Sequence, residues 1–164
     1  MTEPRIARTP EELPDRATLL SMSGLDFLRE MLAGRFSGPP ITGVMDFRLT
    51  GVEEGRVEFR GAAAFQHSNP MGTVHGGWYG TILDSALGCA VMTVVPKGRW
   101  YTTLEYKVNI ARALPVGVEV AAVATVSHAG RTTALAEASL RGVGDGRLYA
   151  TGSTTCIILD GGAG

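Results

Sequence analysis

The segment His75–Pro96, HGGWYGTILDSALGCAVMTVVP, is the one long apolar stretch of the chain, and it holds a single formally charged side chain, Asp84. Its length exceeds that of an ordinary strand, and Pro96 and Gly98 supply a stop, so it predicts a buried helix over 75–96. A helix that is apolar all round has to be covered on most of its surface. The rest of the chain must therefore provide a wrapping layer, which limits the folds open to it.

The residues after Pro96 supply that layer. WYTTLEYKVNIAR (100–112), VEVAAVATVSH (118–128), TTALAEASLRGV (132–143) and RLYATGSTTCIIL (147–159) read as strands separated by LPVG, AGR and GDG. They predict four consecutive antiparallel strands, with Asp145-Gly146 as a two-residue hairpin signal. Before the segment, residues 1–14 with Pro4, Pro10 and Pro14 read as a flexible tail. Asp15 caps a helix expected over 15–33, weakened at Gly24, which covers the sheet. Two short strands come next at about 43–50 and 56–64, with a turn at 53–55. The plan is α+β: a curved antiparallel sheet around one long central helix, with an extra N-terminal helix, in one domain over 15–160.

Composition narrows the function. Fifteen basic and sixteen acidic residues give a net charge of −1, which lacks the electrostatic footprint of a nucleic-acid-binding domain. The apolar runs are interrupted well before the ~20 residues of a membrane span. The start, MTEPRIARTPEELP, has no apolar core and reads as neither a signal nor a transit peptide, so the expected compartment is the cytoplasm. Cys89 and Cys156 lie in apolar contexts and read as packed small hydrophobes. His67, His75 and His128 lack ligand-type spacing, so no metal is expected.

An ionised carboxylate on an apolar helix is costly, so Asp84 calls for a reason: a solvated stripe, a structural hydrogen bond, or a carboxylate tuned as general base or nucleophile. The helix start favours chemistry. Gly76 and Gly77 after His75 leave backbone N–H groups exposed at the positive end of the helix dipole, where a developing oxyanion would be stabilised. Eight residues of helix rise about 12 Å, too far for Gly76 and Asp84 of one helix to act on the same acyl carbon. Two antiparallel helices about a twofold axis remove that difficulty. If both groups act, the site is shared between subunits.

At N-P-M-G-T-V-H-G-G (69–77) with Asp84 the sequence resembles the PaaI-like, phenylacetic-acid-degradation type of hotdog-fold thioesterases, and the resemblance extends over about 40–159. It implies a homodimer usually paired into a homotetramer, hydrolysis of acyl-CoA to free acid and CoA, and no cofactor beyond the coenzyme A of the substrate. By position it makes Asp84 the acid that attacks the thioester or activates water, and the Gly76 N–H the donor to its carbonyl, with Gly77 beside it. Asn69 resembles the residue that helps place the carbonyl or the water, and His75 the histidine that holds the loop geometry. Thr103, or Thr102 in the other register, resembles the hydroxyl residue facing the acid. Arg131 and Thr132 resemble the stretch that lines the CoA groove. Two features depart from the family: the acid is Asp where the aromatic-thioesterase branch often has Glu, and Gly88 stands where some relatives carry Thr. Trp78 and Tyr79 read as interface or core. Aromatic and medium-chain acyl groups are both compatible with this reading. Two rivals share the fold, an acyl-thioester dehydratase or hydratase and a non-catalytic acyl-CoA-binding protein.

Overall fold

The computed structural model describes residues 5–161. The elements are α1 (Arg16–Leu20), α2 (Gly24–Leu32), α3 (Pro40–Val44), β1 (Phe47–Glu53), β2 (Arg56–Ala62), α4 (Gly76–Met92), β3 (Arg99–Ile110), β4 (Glu119–Ala129), β5 (Thr133–Gly142) and β6 (Leu148–Asp160). The six strands form one antiparallel sheet in the order β1-β2-β4-β5-β6-β3.

The sheet curves around α4, whose Ile82, Leu83, Ala86, Leu87, Ala90 and Val91 are fully buried. The sheet residues that meet it are small: Ala122 and Ala124 on β4, Ala134 and Ala136 on β5, and Gly152 on β6, where an added methyl would come 3.2 Å from Leu87. Small residues on the concave face let the strands approach the helix closely, while the bulk of the core comes from α4 itself. α4 ends at Met92, four residues before the expected stop, because the chain turns at Thr93–Val95, where Thr93 Oγ1 donates to the Ala90 carbonyl.

Several expectations are corrected. The helix expected over 15–33 is two, α1 and α2, because Ser23 breaks it: the Ser23 hydroxyl accepts from the Asp26 N–H and starts α2 afresh. Gly24 is a close-packing position, since a methyl there would come 2.0 Å from the Met92 carbonyl oxygen. The last four strands are not a sequential meander. β3 pairs with β6 at one edge, and residues 111–118 cross to place β4 beside β2. The β5–β6 connection is longer than a two-residue hairpin, running from Val143 to Arg147, with Asp145 accepting from the Arg147 N–H and Gly146 at φ 65°. Of the expected tail, residues 1–4 lie outside the described residues. Next to them Gly38 donates to the Arg5 carbonyl, Ala7 donates to the Gly38 carbonyl, and Ala7 is buried. Residues 40–44, expected to lead into a strand, form α3.

Candidate active site

The face of α4 turned toward β3 carries Gly76, Gly80, Asp84 and Gly88 at four-residue spacing, which aligns them along one side of a helix. β3 fills the notches above the glycines. Methyl groups would come 3.4 Å from Ile110 at Gly76, 3.3 Å from the Tyr106 hydroxyl at Gly80, and 2.8 Å from the Tyr101 hydroxyl at Gly88. Opposite Asp84 stands Thr103, whose hydroxyl donates to Asp84 Oδ1 at 3.5 Å.

A bulge decides which threonine is there. Thr103 pairs with Cys156 and Glu105 with the next residue, Thr155, so Leu104 is an extra residue in β3. With strict alternation, the face that presents Ile110 and Tyr106 to the helix would present Thr102. The extra residue shifts the phase, so Thr103 and Tyr101 share that face, while Thr102 is exposed and pairs with Ile157.

Asp84 lines a cavity of about 400 Å³ with Ile6, Met31, Leu49, Phe59 and Tyr101; it is the one carboxylate there, and Arg5 and Arg48 also reach the lining. Burial raises the Asp84 pKa above the ordinary aspartate value, and the hydrogen bond from Thr103 opposes that rise only in part. Cys89 lines the same cavity with its thiol pushed up to about 12, chiefly by burial and then by the Asp84 charge, so it stays protonated at neutral pH. Cys156 is buried behind Thr103, 3.9 Å from its hydroxyl.

The start of α4 is built separately. His75 caps the helix: its Nδ1 accepts from the Gly77 N–H at 2.9 Å. Gly77 is therefore occupied within the chain. The Gly76 N–H, in contrast, has no acceptor among the described residues, and Gly76 is exposed. Asn69 is turned into its own loop, where Nδ2 donates to Thr73 Oγ1 and Oδ1 accepts from the Met71 and Thr73 N–H groups. The loop is closed by the His75 N–H on the His67 carbonyl, and His67 itself is buried, bonded to Ala64 and Val44. Asn69 and His75 thus shape the loop that presents Gly76.

Arg131 and Thr132 lie at the β4–β5 turn with exposed side chains. The Arg131 carbonyl accepts from Arg99, and the Thr132 carbonyl from the Ile158 N–H. Thr103, Cys156 and Ala134 form one row across β3, β6 and β5, so this turn sits at the Thr103 end of the sheet, two strand spacings or about 10 Å across. Within one chain Asp84, Thr103 and Tyr101 come together, and Gly76 stands two turns of helix away. Sequence reasoning missed Tyr101 and the wall made by Ile6 and Met31. Gly88 opposite Tyr101 was the one available signal for the former.

A curved antiparallel sheet wrapped around a long helix, with a carboxylate on the helix facing an apolar cavity, defines a hotdog-fold protein. The sequence profile of the Thioesterase superfamily matches residues 71–149, and the chain belongs to that superfamily, among its PaaI-like hotdog proteins. It is similar to acyl-coenzyme A thioesterase 13 of Mus musculus, 30% identical over 90 residues that make up 55% of this chain and 64% of that protein. The matched stretches span less than two thirds of the curated relatives, 64% and 55% of their lengths. Among solved structures, a conserved protein from Pseudomonas aeruginosa is 34% identical with a TM-score of 0.67, covering 73% of this chain and 93% of that one. A phenylacetic-acid-degradation-related protein from Ralstonia eutropha is 26% identical with a TM-score of 0.73, covering 80% and 98%.

Proposed function

We propose that this protein is a thioester hydrolase that cleaves an acyl-CoA to the free acid and CoA, in a site completed by a second copy of the chain. The carrying observation is Asp84: a carboxylate on a buried helix, its pKa raised by burial, backed by the Thr103 hydroxyl and opening on a largely apolar cavity of about 400 Å³. The volume lies within the usual range for small-molecule sites and suits an aryl or medium-chain acyl group.

In this reading Asp84 takes a proton from water as the water oxygen bonds to the thioester carbon. The carbonyl oxygen gains negative charge and is held by the Gly76 N–H of the partner subunit, across the twofold axis. Collapse of the tetrahedral intermediate breaks the C–S bond, and the CoA thiolate leaves. Thr103 holds the Asp84 carboxylate in position. His75 and Asn69 keep the helix start and its loop in the shape that leaves the Gly76 N–H free. Arg131 and Thr132, exposed on the turn at the Thr103 end of the sheet, are assigned to the CoA phosphates and pantetheine arm, since a guanidinium fork suits a phosphate. The dimer has its own support: β3 is an edge strand of 12 residues, and Leu104, Tyr106 and Ile110 on it are exposed.

The test is thiol release from a panel of aryl and alkyl acyl-CoAs by the wild type and by Asp84→Ala, with sedimentation showing both to be the same oligomer. Turnover that falls by about 10²-fold or more in the variant is the expected result. Tight acyl-CoA binding without turnover in the wild type would reassign the protein as a binding module.

A further inference from the structure

Of the tyrosine hydroxyls near α4, those of Tyr79 and Tyr101 are used in opposite ways. Tyr79 is fully buried, and its hydroxyl donates to the Arg112 carbonyl and accepts from the Leu114 N–H. It is saturated by backbone and serves the fold. The Tyr101 hydroxyl has no hydrogen-bond partner among the described residues, although a tyrosine taken into a protein interior normally finds one. No buried side-chain nitrogen or oxygen of the described residues is left unpartnered, so this hydroxyl is not sealed into the core. It opens on the cavity that Tyr101 lines together with Asp84 and Thr103.

Its position is set by Gly88. A methyl at residue 88 would come 2.8 Å from the Tyr101 Oη and 3.3 Å from its Cε2, so the hydroxyl stands in the space a side chain there would take. Residues 84 and 88 share a helix face, with Cβ positions about 5–6 Å apart. One water or one thioester group spans such a gap. The bulge at Leu104 brings Thr103 and Tyr101 to this face together, so the arrangement is a single feature of β3.

We propose that Tyr101 is a positioning residue for hydrolysis: its hydroxyl, seated in the notch of Gly88, donates to the water that Asp84 activates. This rests on the thioesterase reading of the site. The water accepts from Tyr101 through one lone pair, donates one hydrogen to the Asp84 carboxylate, and attacks the thioester carbon with its other lone pair. That proton passes to Asp84, the new C–O bond forms, and the C–S electrons leave with the CoA sulfur. Tyr101 keeps its own proton throughout, as burial holds its pKa well above the ordinary tyrosine value.

The experiment measures kcat and KM for thiol release by wild type, Tyr101→Phe, Gly88→Ala, Asp84→Ala and the double variant Tyr101→Phe/Gly88→Ser. Tyr101→Phe keeps the ring and should lower kcat by roughly 10- to 10²-fold, the loss expected for a misplaced reactant, with KM nearly unchanged. Gly88→Ala displaces the hydroxyl without removing it and should lower kcat likewise, which keeps the test open should Tyr101→Phe fail to fold. The double variant returns a hydroxyl from the helix side into space that the loss of Oη has cleared, and should recover part of kcat. A Tyr101→Phe protein with kcat within about twofold of wild type, while Asp84→Ala is inactive, overturns the role of Tyr101 and leaves the thioesterase reading standing. Activity that survives in Asp84→Ala removes Asp84 as the base and the role of Tyr101 with it, whereas a wild type that binds acyl-CoA without turnover removes the thioesterase reading itself.

Discussion

Asp84 sits where its charge is useful and costly at once. Burial raises its pKa, so the folded chain binds this proton more tightly than the unfolded chain does. The stability linked to this group is therefore fully present below the unfolded value of about 3.8 and is lost as pH rises through the higher folded value. Asp84→Asn should melt at a higher temperature than wild type near neutral pH, with the gap closing in acid, while thiol release is lost. Melting curves from pH 3 to 8 check this, and an Asn protein that melts lower at neutral pH would mean that Asp84 holds the fold. In the wild type, kcat/KM should fall on the acid side through a value above the ordinary aspartate range, since the working form is the carboxylate. The oddity of Asp84 was legible in the sequence, because one charge within an apolar helix shows in a bare string of letters. The choice between Thr102 and Thr103 was not, since it depends on the extra residue at Leu104, and a bulge leaves no mark in the alternation of VNIAR or LEYK. Asn69 and Gly77 show the same limit: their partners, Thr73 and His75, are settled by the shape of one short loop.

At the scale of elements, the meeting of α2 with the end of α4 is the most demanding contact. The Gly24 N–H donates to the Val95 carbonyl, and Gly24 leaves no room for a methyl beside the Met92 carbonyl. Gly24→Ala improves intrinsic helix propensity by up to about 1 kcal/mol, but it forces the two helices apart. The net expectation is destabilisation of roughly 1–3 kcal/mol, read from the denaturant midpoint. An alanine protein as stable as wild type would show that α2 can shift freely. The sequence read this glycine as a weakness in one long helix because Leu19, Leu20, Leu25, Leu28, Met31 and Leu32 keep near-helical spacing across the break. Periodicity registers which side chains face the core, and α1 and α2 both face it. The strands were legible for a similar reason, since alternation is local. Their pairing order was not, because β3 beside β6 and β4 beside β2 are joined through contacts far apart in sequence.

For the whole molecule, the fold leaves one decisive question about assembly. Gly76 with its free N–H and Asp84 lie two turns apart on one helix, about 12 Å along its axis. The proposed chemistry needs both at a single carbon, so each site must draw Gly76 from one subunit and Asp84 from the other. Gly76 offers an unusually clean way to test this. It is the first residue of α4, where proline is well tolerated, and His75 before it has the extended conformation, φ −64° and ψ 141°, that a following proline favours. Gly76→Pro should thus keep the helix while deleting the N–H. Alone, Gly76→Pro and Asp84→Ala should each be inactive. Mixed in equal amounts and allowed to exchange subunits, half of the dimers are hybrids with one whole site of two, so about a quarter of wild-type turnover should return. If each chain carries its own complete site, no mixture recovers activity. Leu104→Asp gives the complementary result: a charge on the exposed edge of β3, away from the notch over Gly76 that Ile110 fills, should produce a monomer by sedimentation and abolish turnover together. A monomer that still releases thiol would break the link between the dimer and the chemistry.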